Sequence, residues 1–282
     1  MSLKHKRTSA RCTGRRILRA ARRSPRPKRT DFAVTPGNYP APYVSVIIPA
    51  MNEAGTIAGV IAEARKVHPR CEVIVVVNGS TDTTAAIAAK HGAKVLLFLQ
   101  PLGHDVGRSV GAEAASGDIL LFTDGDLPVT AAQLRPFVAA VGGGADVALN
   151  DYSGPVSGVL PHPVVLSKHA LNLFLGRPDL KGSSLTAVPH ALSRSALRVL
   201  GTEALSRPPL AHARAVMEGL QVQTVHHVPV GKLNAARRKR AGVDPLQEVV
   251  VRDHLDALAL VLQRRGPRAG FSDGARRREM VR

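Results

Sequence analysis

Two carboxylates separated by one glycine stand directly after an apolar run and form the strongest candidate site in this sequence. The run 118–122 is followed by Thr123, and then by Asp124, Gly125 and Asp126. Carboxylate oxygens are hard ligands that suit Mg²⁺ or Mn²⁺, and such an ion can hold the diphosphate of a nucleotide. A polar turn after a strand has the same composition. The function of the pair therefore depends on the elements that surround it.

Strands and helices alternate in the half of the chain that contains this pair. Short apolar runs predict strands at 43–48, 72–77, 94–98 and 118–122. Helical spacing of apolar residues predicts helices at 54–67, 83–91 and 104–116. The alternation predicts an α/β fold, with a mostly parallel central sheet and helices on both faces. Ligands of such sheets bind at the carboxyl ends of the strands. Polar or glycine-containing loops follow the four strands there, at 49–53, 78–82, 99–107 and 124–128.

The second half of the chain is less regular. Its spacing predicts helices at 131–141, 193–200, 208–219 and 246–264. A strand at 221–230 leads into a basic loop at 231–242. Residues 151–182 are interrupted by prolines and glycines, so we interpret them as a loop-rich insertion near the site.

Four motifs within residues 43–130 resemble, in order and spacing, family 2 glycosyltransferases of the GT-A fold. They are the segments 44–53 and 76–84, the pair Gly107-Arg108, and the strand that ends in Asp124-Gly125-Asp126. The resemblance implies a GT-A-type, Rossmann-like sandwich. It also implies a hexosyltransferase-type enzyme that moves a sugar from a nucleoside-diphosphate sugar to an unidentified hydroxyl acceptor.

The resemblance implies a role for individual residues as well. Asp124 and Asp126 would hold the sugar ribose and Mn²⁺ or Mg²⁺, and the metal would stabilise charge on the leaving diphosphate. His226 could be a further metal ligand or an ordinary strand histidine, and the basic residues 237–239 could close over the diphosphate or form a solvated loop. The implied donor-binding residues are Pro49, Ala50, Asn52, Glu53, Asn78, Ser80, Asp82, Gly103, Arg108, Asp124, Gly125 and Asp126.

Two departures from the family pattern leave parts of the chemistry open. The second motif commonly carries two acids before Gly-Ser, but this chain has Val77 and Asn78, so the nucleobase stays open. Inverting members place a general base before a late helix. Glu203 is the only carboxylate within 201–209, so it is the candidate general base. Asp126 and Glu203 are the two candidate catalytic residues. Without a base, a retaining mechanism becomes available, in which the leaving phosphate deprotonates the acceptor.

Several simpler interpretations compete with the donor site. Asp105 could cap the helix that follows it, and Gly111 could serve close packing of that helix on the sheet. A nucleotidyltransferase is disfavoured, because Ala50-Met51-Asn52-Glu53 replaces the glycine-rich basic loop expected after the first strand. A catalytically degenerate GT-A scaffold that binds an anionic surface, either membrane or nucleic acid, is the alternative function.

Positive charge motivates that alternative, and it lies in the tails. The chain has a formal net charge of +18, but residues 1–30 hold 12 of its 39 Lys and Arg residues and no acid. Residues 264–282 add seven arginines against two acids. We therefore divide the chain into a basic, disordered arm at 1–40, a catalytic domain at 41–265 and a basic tail at 266–282. The domain has a nucleotide-sugar half at 43–130 and an acceptor half at 131–265.

Composition also sets expectations about location and partners. No signal peptide or transmembrane run stands out, so we expect a cytoplasmic protein, at most peripheral to the inner face of the membrane. Two kinds of partner stay open. One is an anionic membrane, which the basic tails would contact, and the other is a second copy of the chain in a homodimer. Only 3% of residues are aromatic, which argues against a specific nucleic-acid partner. Cys12 and Cys71 lack metal-type spacing and are expected to be reduced.

Overall fold

The computed structural model describes residues 30–31, 37–156, 160–233 and 245–272. Its strands are β1 Thr30–Asp31, β2 Val44–Ala50, β3 Cys71–Asn78, β4 Lys94–Phe98, β5 Ile119–Phe122, β6 Val147–Asn150, β7 His190–Ser193 and β8 Val222–His226. Its helices are α1 Ile57–Arg65, α2 Thr84–Lys90, α3 Val106–Ala114, α4 Ala131–Gly142, α5 Pro163–Phe174, α6 Arg194–Leu200, α7 Pro208–Met217, α8 Val230–Leu233 and α9 Pro245–Arg265. Short 3-10 turns cover Pro178–Leu180 and Thr202–Ser206. Most of the basic arm, residues 234–244 and the part of the tail beyond 272 lie outside the described residues. The prediction of a loop at 231–242 is wrong for residues 231–233, which belong to α8.

The described strands form one sheet in the order β1-β4-β3-β2-β5-β7-β6-β8. Strands β4, β3, β2 and β5 are parallel neighbours, with Val46 opposite both Val73 and Leu121. Strand β7 is antiparallel to both β5 and β6, and β8 is parallel to β6. The predicted mostly parallel sheet is therefore confirmed, and all four strands predicted in the first half are present.

Helices cover both faces of this sheet, which explains why the central strands read as continuous apolar runs. On one face, Ile48 and Val75 pack with Ile57 of α1 and Phe137 of α4. On the other face, Ile47 packs with apolar residues of β5, α3 and α6. Alternate residues of β2 thus enter opposite layers of the core.

Helix α3 approaches the sheet closely through Gly111. A Cβ atom at Gly111 would lie 2.4 Å from Cγ2 of Ile47 and 3.2 Å from Cγ2 of Val76. A real Cβ does not fit at that distance, so glycine is required where the helix crosses β2 and β3. The interpretation of Gly111 as a packing residue is confirmed.

The loop-rich interpretation of residues 151–182 is wrong for its central part, which forms helix α5. Pro163 stands in the first turn of α5, where a proline costs no intrahelical hydrogen bond. Nδ1 of His162 caps the helix by accepting from the backbone N–H of Val164 at 3.3 Å. Strands β6 and β7 were also not predicted. Each has four residues, which is too short for a clear period.

The end of the N-terminal arm is tied to the sheet where it is described. Thr30 and Asp31 pair antiparallel with β4. The side chain of Asn38 donates to the carbonyl of Val73 at 3.1 Å and accepts from its N–H at 2.9 Å. Tyr39 donates its N–H to the carbonyl of Cys71. These contacts satisfy backbone groups of β3 that lie before its pairing with β4 begins, and the sequence did not predict them.

Within the described ranges, no helix combines the length and the apolar character that a bilayer crossing requires.

Candidate active site

A cleft of about 400 Å³ opens at the carboxyl edge of the parallel strands. It collects the loops that follow β2, β3, β4 and β5, as the sequence predicts. The predicted donor residues that line it are Pro49, Ala50, Glu53, Asn78, Gly103, Arg108, Asp124, Gly125 and Asp126. The remaining cleft residues are Met51, Pro101, His104, Asp105, Gly107 and Leu246.

The pair of carboxylates is held against the end of β2 by the glycine between them. The N–H of Gly125 donates to the carbonyl of Pro49 at 3.1 Å, and Oγ1 of Thr56 donates to the carbonyl of Gly125 at 2.8 Å. A Cβ at Gly125 would lie 3.0 Å from Cβ of Ala50. The close approach favours glycine here and places Asp124 and Asp126 beside the first loop.

Asn52, Ser80 and Asp82 join the first loop to the second. The N–H of Asn52 donates to Oγ of Ser80 at 2.9 Å, and Oδ1 of Asn52 accepts from the N–H of Thr81 at 2.8 Å. Oδ2 of Asp82 accepts from the N–H of Ala54 at 3.1 Å. These side chains position the loops that form the cleft, although none of the three lines it. Hydrogen bonds lower the pKa of Asp82, and the one from the Thr84 side chain contributes most.

Asn78 joins the second loop to the third. Its Oδ1 accepts from the N–H of Leu102 at 2.6 Å, and its Nδ2 donates to the carbonyl of Gly103 at 3.1 Å. Both polar atoms of the amide are therefore used on the backbone of the third loop. A carboxylate at this position would lack the donor that meets the carbonyl of Gly103, so these contacts favour an amide here.

Arg108 is a buried cation at the back of the cleft. Its Nη1 lies 2.8 Å from Oδ1 of Asp105, and its Nη2 lies 3.4 Å from Oδ1 of Asp124. Burial alone would lower the pKa of Arg108, but the charges of Asp105 and Asp124 outweigh burial and raise that pKa. Arg108 thus stays charged and links one of the two carboxylates to the third loop.

Asp105 has a different role from the helix cap that the sequence allowed. Its side chain makes no capping hydrogen bond to α3, and its backbone is left-handed, with φ of 61°. This conformation directs the carboxylate to Arg108 and, at 3.3 Å, to Nε2 of His104. The capping interpretation is wrong because the buried guanidinium is the stronger partner. The available sequence signal was the spacing of three residues to Arg108, which suits an ion pair on a helix.

The carboxylates in the cleft fit a hard divalent cation. Asp124 keeps 30% of its side chain exposed, and Asp126 is partly exposed on the cleft wall. Oxygen ligands of this kind suit Mg²⁺ and Mn²⁺. Among the described residues, no three His, Cys, Asp or Glu side chains are grouped closely enough to hold a metal by themselves. The remaining ligands would have to come from the nucleotide or from solvent.

Besides Asn52, Ser80 and Asp82, two further predicted residues do not line this cleft. The ring of His226 packs edge-on against Phe137, with centroids 6.5 Å apart, and does not join Asp124 and Asp126 in a metal-binding group. Glu203 is exposed on the turn Thr202–Ser206 and is not a lining residue. The basic residues 237–239 lie outside the described part of the chain. Leu246 reaches the cleft from α9, and no local signal in the sequence pointed to it.

Comparison with known proteins agrees with this geometry. Residues 45–160 match the model of glycosyl transferase family 2. An uncharacterized glycosyltransferase of Mycobacterium tuberculosis is 34% identical over 116 residues, which are 41% of this chain and 51% of the relative. Glycosyltransferase AglE of Haloferax volcanii is 41% identical over 93 residues, covering 30% of this chain and 31% of the relative. The chain thus spans about half, or less, of these relatives.

Solved structures show that the fold extends beyond the matched segment. Glucosyl-3-phosphoglycerate synthase of Mycobacterium tuberculosis superposes with a TM-score of 0.55 over 83% of this chain and 82% of its own, at 24% identity. That crystal contains Mn²⁺, uridine diphosphate and glucosyl-3-phosphoglycerate. Another crystal of the synthase contains Mn²⁺, uridine-diphosphate-glucose and phosphoglyceric acid, with a TM-score of 0.52. The likeness establishes the GT-A fold of the described chain.

Proposed function

We propose that this chain is a metal-dependent glycosyltransferase that moves a sugar from a nucleoside-diphosphate sugar to a hydroxyl acceptor. The observation that carries the proposal is the pair Asp124 and Asp126 in a cleft at the carboxyl edge of the sheet, with buried Arg108 behind it. The family of residues 45–160 supports the reaction class. The synthase with the same fold binds uridine-diphosphate-glucose, which makes a uridine donor the first to test.

The residues in and around the cleft would have different roles in binding the donor. Asp124 and Asp126 would hold Mn²⁺ or Mg²⁺, which, when bound, stabilises negative charge on the leaving diphosphate. Arg108 restrains Asp124 through its contact with Oδ1 and balances part of its charge. Asn52, Asn78 and their partners keep the donor loops in place before the ligand arrives, so less entropy is lost on binding.

The set of carboxylates that line the cleft supports a reaction in which the transferred sugar retains its anomeric configuration. Besides the metal-binding pair, the described lining contains Glu53 and Asp105. Asp105 is paired with Arg108, and Oε2 of Glu53 lies 3.2 Å from Oγ1 of Thr56. Since Glu203 lies elsewhere, we favour a mechanism in which the leaving phosphate oxygen takes the acceptor proton. An NMR coupling constant of the product decides this point: an anomeric configuration opposite to that of the donor would contradict it.

Thermal unfolding with nucleotides tests the donor site directly. We expect uridine diphosphate to raise Tm by roughly 5–10 °C at a hundredfold excess over Kd, and only when Mn²⁺ is present. Asp126→Ala should abolish the metal-dependent part of this shift. Asp256→Ala, which removes an exposed carboxylate on α9, should keep it.

The absence of any nucleotide-dependent shift in Tm would contradict the proposal. If no nucleoside diphosphate or nucleotide sugar changes Tm with or without metal, the cleft is not a donor site. The degenerate scaffold would then be the better description. An intact metal-dependent shift in Asp126→Ala would remove Asp126 from the metal site and leave the donor site in place.

A further inference from the structure

Lys168 is a buried lysine on α5 that has no acidic partner. It is 5% exposed, and its Nζ donates to the carbonyl of Tyr152 at 3.2 Å. The ammonium also lies 5.9 Å from the centre of the Tyr152 ring. Burial lowers the pKa of Lys168 to about 8, and no carboxylate of the described chain opposes this effect. Because an ammonium has three donors and a buried charge normally has a counter-charge, Lys168 has the capacity to bind an anion.

The turn 182–186 lies against the same face of α5 and brings further polar groups to it. Asn172 stands one helical turn after Lys168, and its Nδ2 donates to the carbonyls of Lys181 and Ser183 at 2.9 Å each. Buried polar atoms normally have a hydrogen-bond partner. Four buried side-chain atoms of α5 and this turn form no hydrogen bond with the described residues: Nε2 of His169, Oγ of Ser183, Oγ of Ser184 and Oγ1 of Thr186. We refer to these four residues together with Lys168 as the Lys168 cluster.

Topology places this cluster at the same edge of the sheet as the candidate metal site. His190 of β7 pairs with Phe122 of β5 on one side and with Leu149 of β6 on the other. Strands β5 and β6 therefore run parallel and end level with each other, one strand apart. Asp124 follows Phe122 by two residues, and Tyr152, the partner of the buried lysine, follows Leu149 by three. Two strand spacings are roughly 10 Å, a distance that a sugar and a small acceptor together can bridge.

We propose that the Lys168 cluster binds a phosphate group carried by the acceptor. A phosphomonoester supplies the negative charge that the buried ammonium lacks, and its terminal oxygens accept hydrogen bonds from several donors at once. A cation fits poorly, because Lys181 on the same turn adds positive charge and contributes to lowering the pKa of His169. The assignment to an acceptor rests on the proposed sugar transfer, whereas the phosphate site itself does not.

Thermal unfolding of the full-length chain with inorganic phosphate, in the absence of metal and nucleotide, tests the site. At a tenfold excess over Kd we expect Tm to rise by roughly 3–6 °C. Lys168→Met keeps an unbranched side chain without the charge and should abolish this shift. Ser184→Ala removes one buried hydroxyl and should weaken phosphate binding by about tenfold. Lys90→Met is the matched control, since Lys90 is exposed at the end of α2, and it should keep the shift.

Two variants separate this site from the donor cleft. Asp126→Ala should keep the phosphate shift, and Lys168→Met should keep the metal-dependent shift with uridine diphosphate. The phosphate site and the donor site can therefore fail independently. Absence of a phosphate shift in the unaltered chain overturns the proposal. An equal phosphate shift in Lys168→Met also overturns it, because the anion then binds elsewhere.

Turnover distinguishes a phosphorylated acceptor from free phosphate as the source of the anion. Release of uridine diphosphate from uridine-diphosphate-glucose with Mn²⁺ is compared for glycerol 3-phosphate against glycerol and for glucose 6-phosphate against glucose. We expect release to require a phosphorylated compound, and its KM to rise at least tenfold in Lys168→Met with a smaller change in kcat. Turnover of a neutral compound with the same KM as its phosphorylated counterpart overturns the assignment to the acceptor.

Discussion

Asp105, Arg108 and Asp124 form a chain of charges that connects the third loop to the candidate metal site. Asp105 has 6% of its side chain exposed and Arg108 has 7%, so their interaction is little screened by water. Arg108 also reaches Asp124, whose oxygens face the cleft. Asp105 is therefore a positioning residue, because it acts on the metal ligand through Arg108. Groups of this kind set ligand orientation and commonly change metal affinity when they are replaced.

Replacing Asp105 should weaken metal binding without removing a metal ligand. In Asp105→Asn, the positive charge of Arg108 has Asp124 as its main counter-charge and competes with the cation. We expect the Mn²⁺ concentration that half-saturates uridine-diphosphate stabilisation to rise about tenfold. We also expect the free energy of unfolding to fall by about 2 kcal/mol.

Asp179→Asn is the matched control for this substitution. Asp179 pairs with Arg177 at 2.7 Å, but its side chain is 60% exposed. An exposed pair contributes little, so neither quantity should change measurably. An unaltered Mn²⁺ dependence in Asp105→Asn would show that Arg108 does not transmit the charge of Asp105 to the site.

At the scale of elements, the cleft depends on how closely α3 lies on the sheet. Asp105 and Arg108 stand at the start of α3, and Gly111 stands one turn later against Ile47. Any displacement of α3 from the sheet would move the buried charges and the floor of the cleft together. The packing glycine and the site are thus parts of one arrangement.

Two glycine substitutions should have opposite effects on stability. Gly111→Ala places a methyl group 2.4 Å from Cγ2 of Ile47, and overpacking should cost about 1–3 kcal/mol of unfolding free energy. Gly59→Ala on α1 meets no atom within 4 Å and should stabilise by about 0.5–1 kcal/mol, because alanine has the higher helix propensity. Urea denaturation measures both. Equal values for the two variants would contradict the close packing of α3.

At the scale of the whole molecule, three buried histidines make stability depend on pH. The ring of His190 stacks on Phe122 with centroids 5.0 Å apart, and Nε2 of His212 lies 2.7 Å from Oδ1 of Asn172. Burial lowers the pKa of His190 and of His212 to about 3, and that of His254 to about 4. The positive charge of Arg108 adds to the effect on His190. All three rings are neutral at neutral pH.

Acidification should therefore destabilise the fold well before the carboxylates titrate. Because these pKa values are depressed below the ordinary 6.5, only the unfolded chain takes up protons as pH falls from 6.5. Each histidine then costs about 2 kcal/mol of unfolding free energy at pH 5, and the full contribution is regained above pH 6.5. Urea denaturation at pH 7.5 and pH 5 should show this loss.

A variant at one of these positions isolates the effect. His254→Leu removes one titrating ring and keeps an apolar side chain of similar size at the contact of α9 with α5 and α7. The difference in the free energy of unfolding between pH 7.5 and pH 5 should be smaller by about 2 kcal/mol in this variant. An equal stability of the original chain at both pH values would contradict the burial of the histidines.

The first half of the fold and most of the cleft could be predicted from the sequence, because local patterns specify both. A continuous apolar run such as 72–77 is typical of a strand buried on both faces, and its polar end is visible in the same stretch. Parallel strands then bring successive loops to one edge without further information. Asp124 and Asp126 were found in this way, and the family resemblance added residues that lie in the same loops.

Tertiary structure decided everything that depends on contacts between distant residues. The place of Leu246 in the cleft required the packing of α9. The pairing of Asp105 with Arg108 is local, but it required the left-handed backbone of Asp105 before α3. The motifs around Glu203 and His226 did not determine where their side chains lie. Whether a side chain on a strand or a turn points to the cleft is fixed only by the elements that pack around it. Whether other elements cover a helix such as α5 on one side or on both is likewise decided by the packed molecule. An apolar sequence favours burial, but it does not specify which elements pack against the helix.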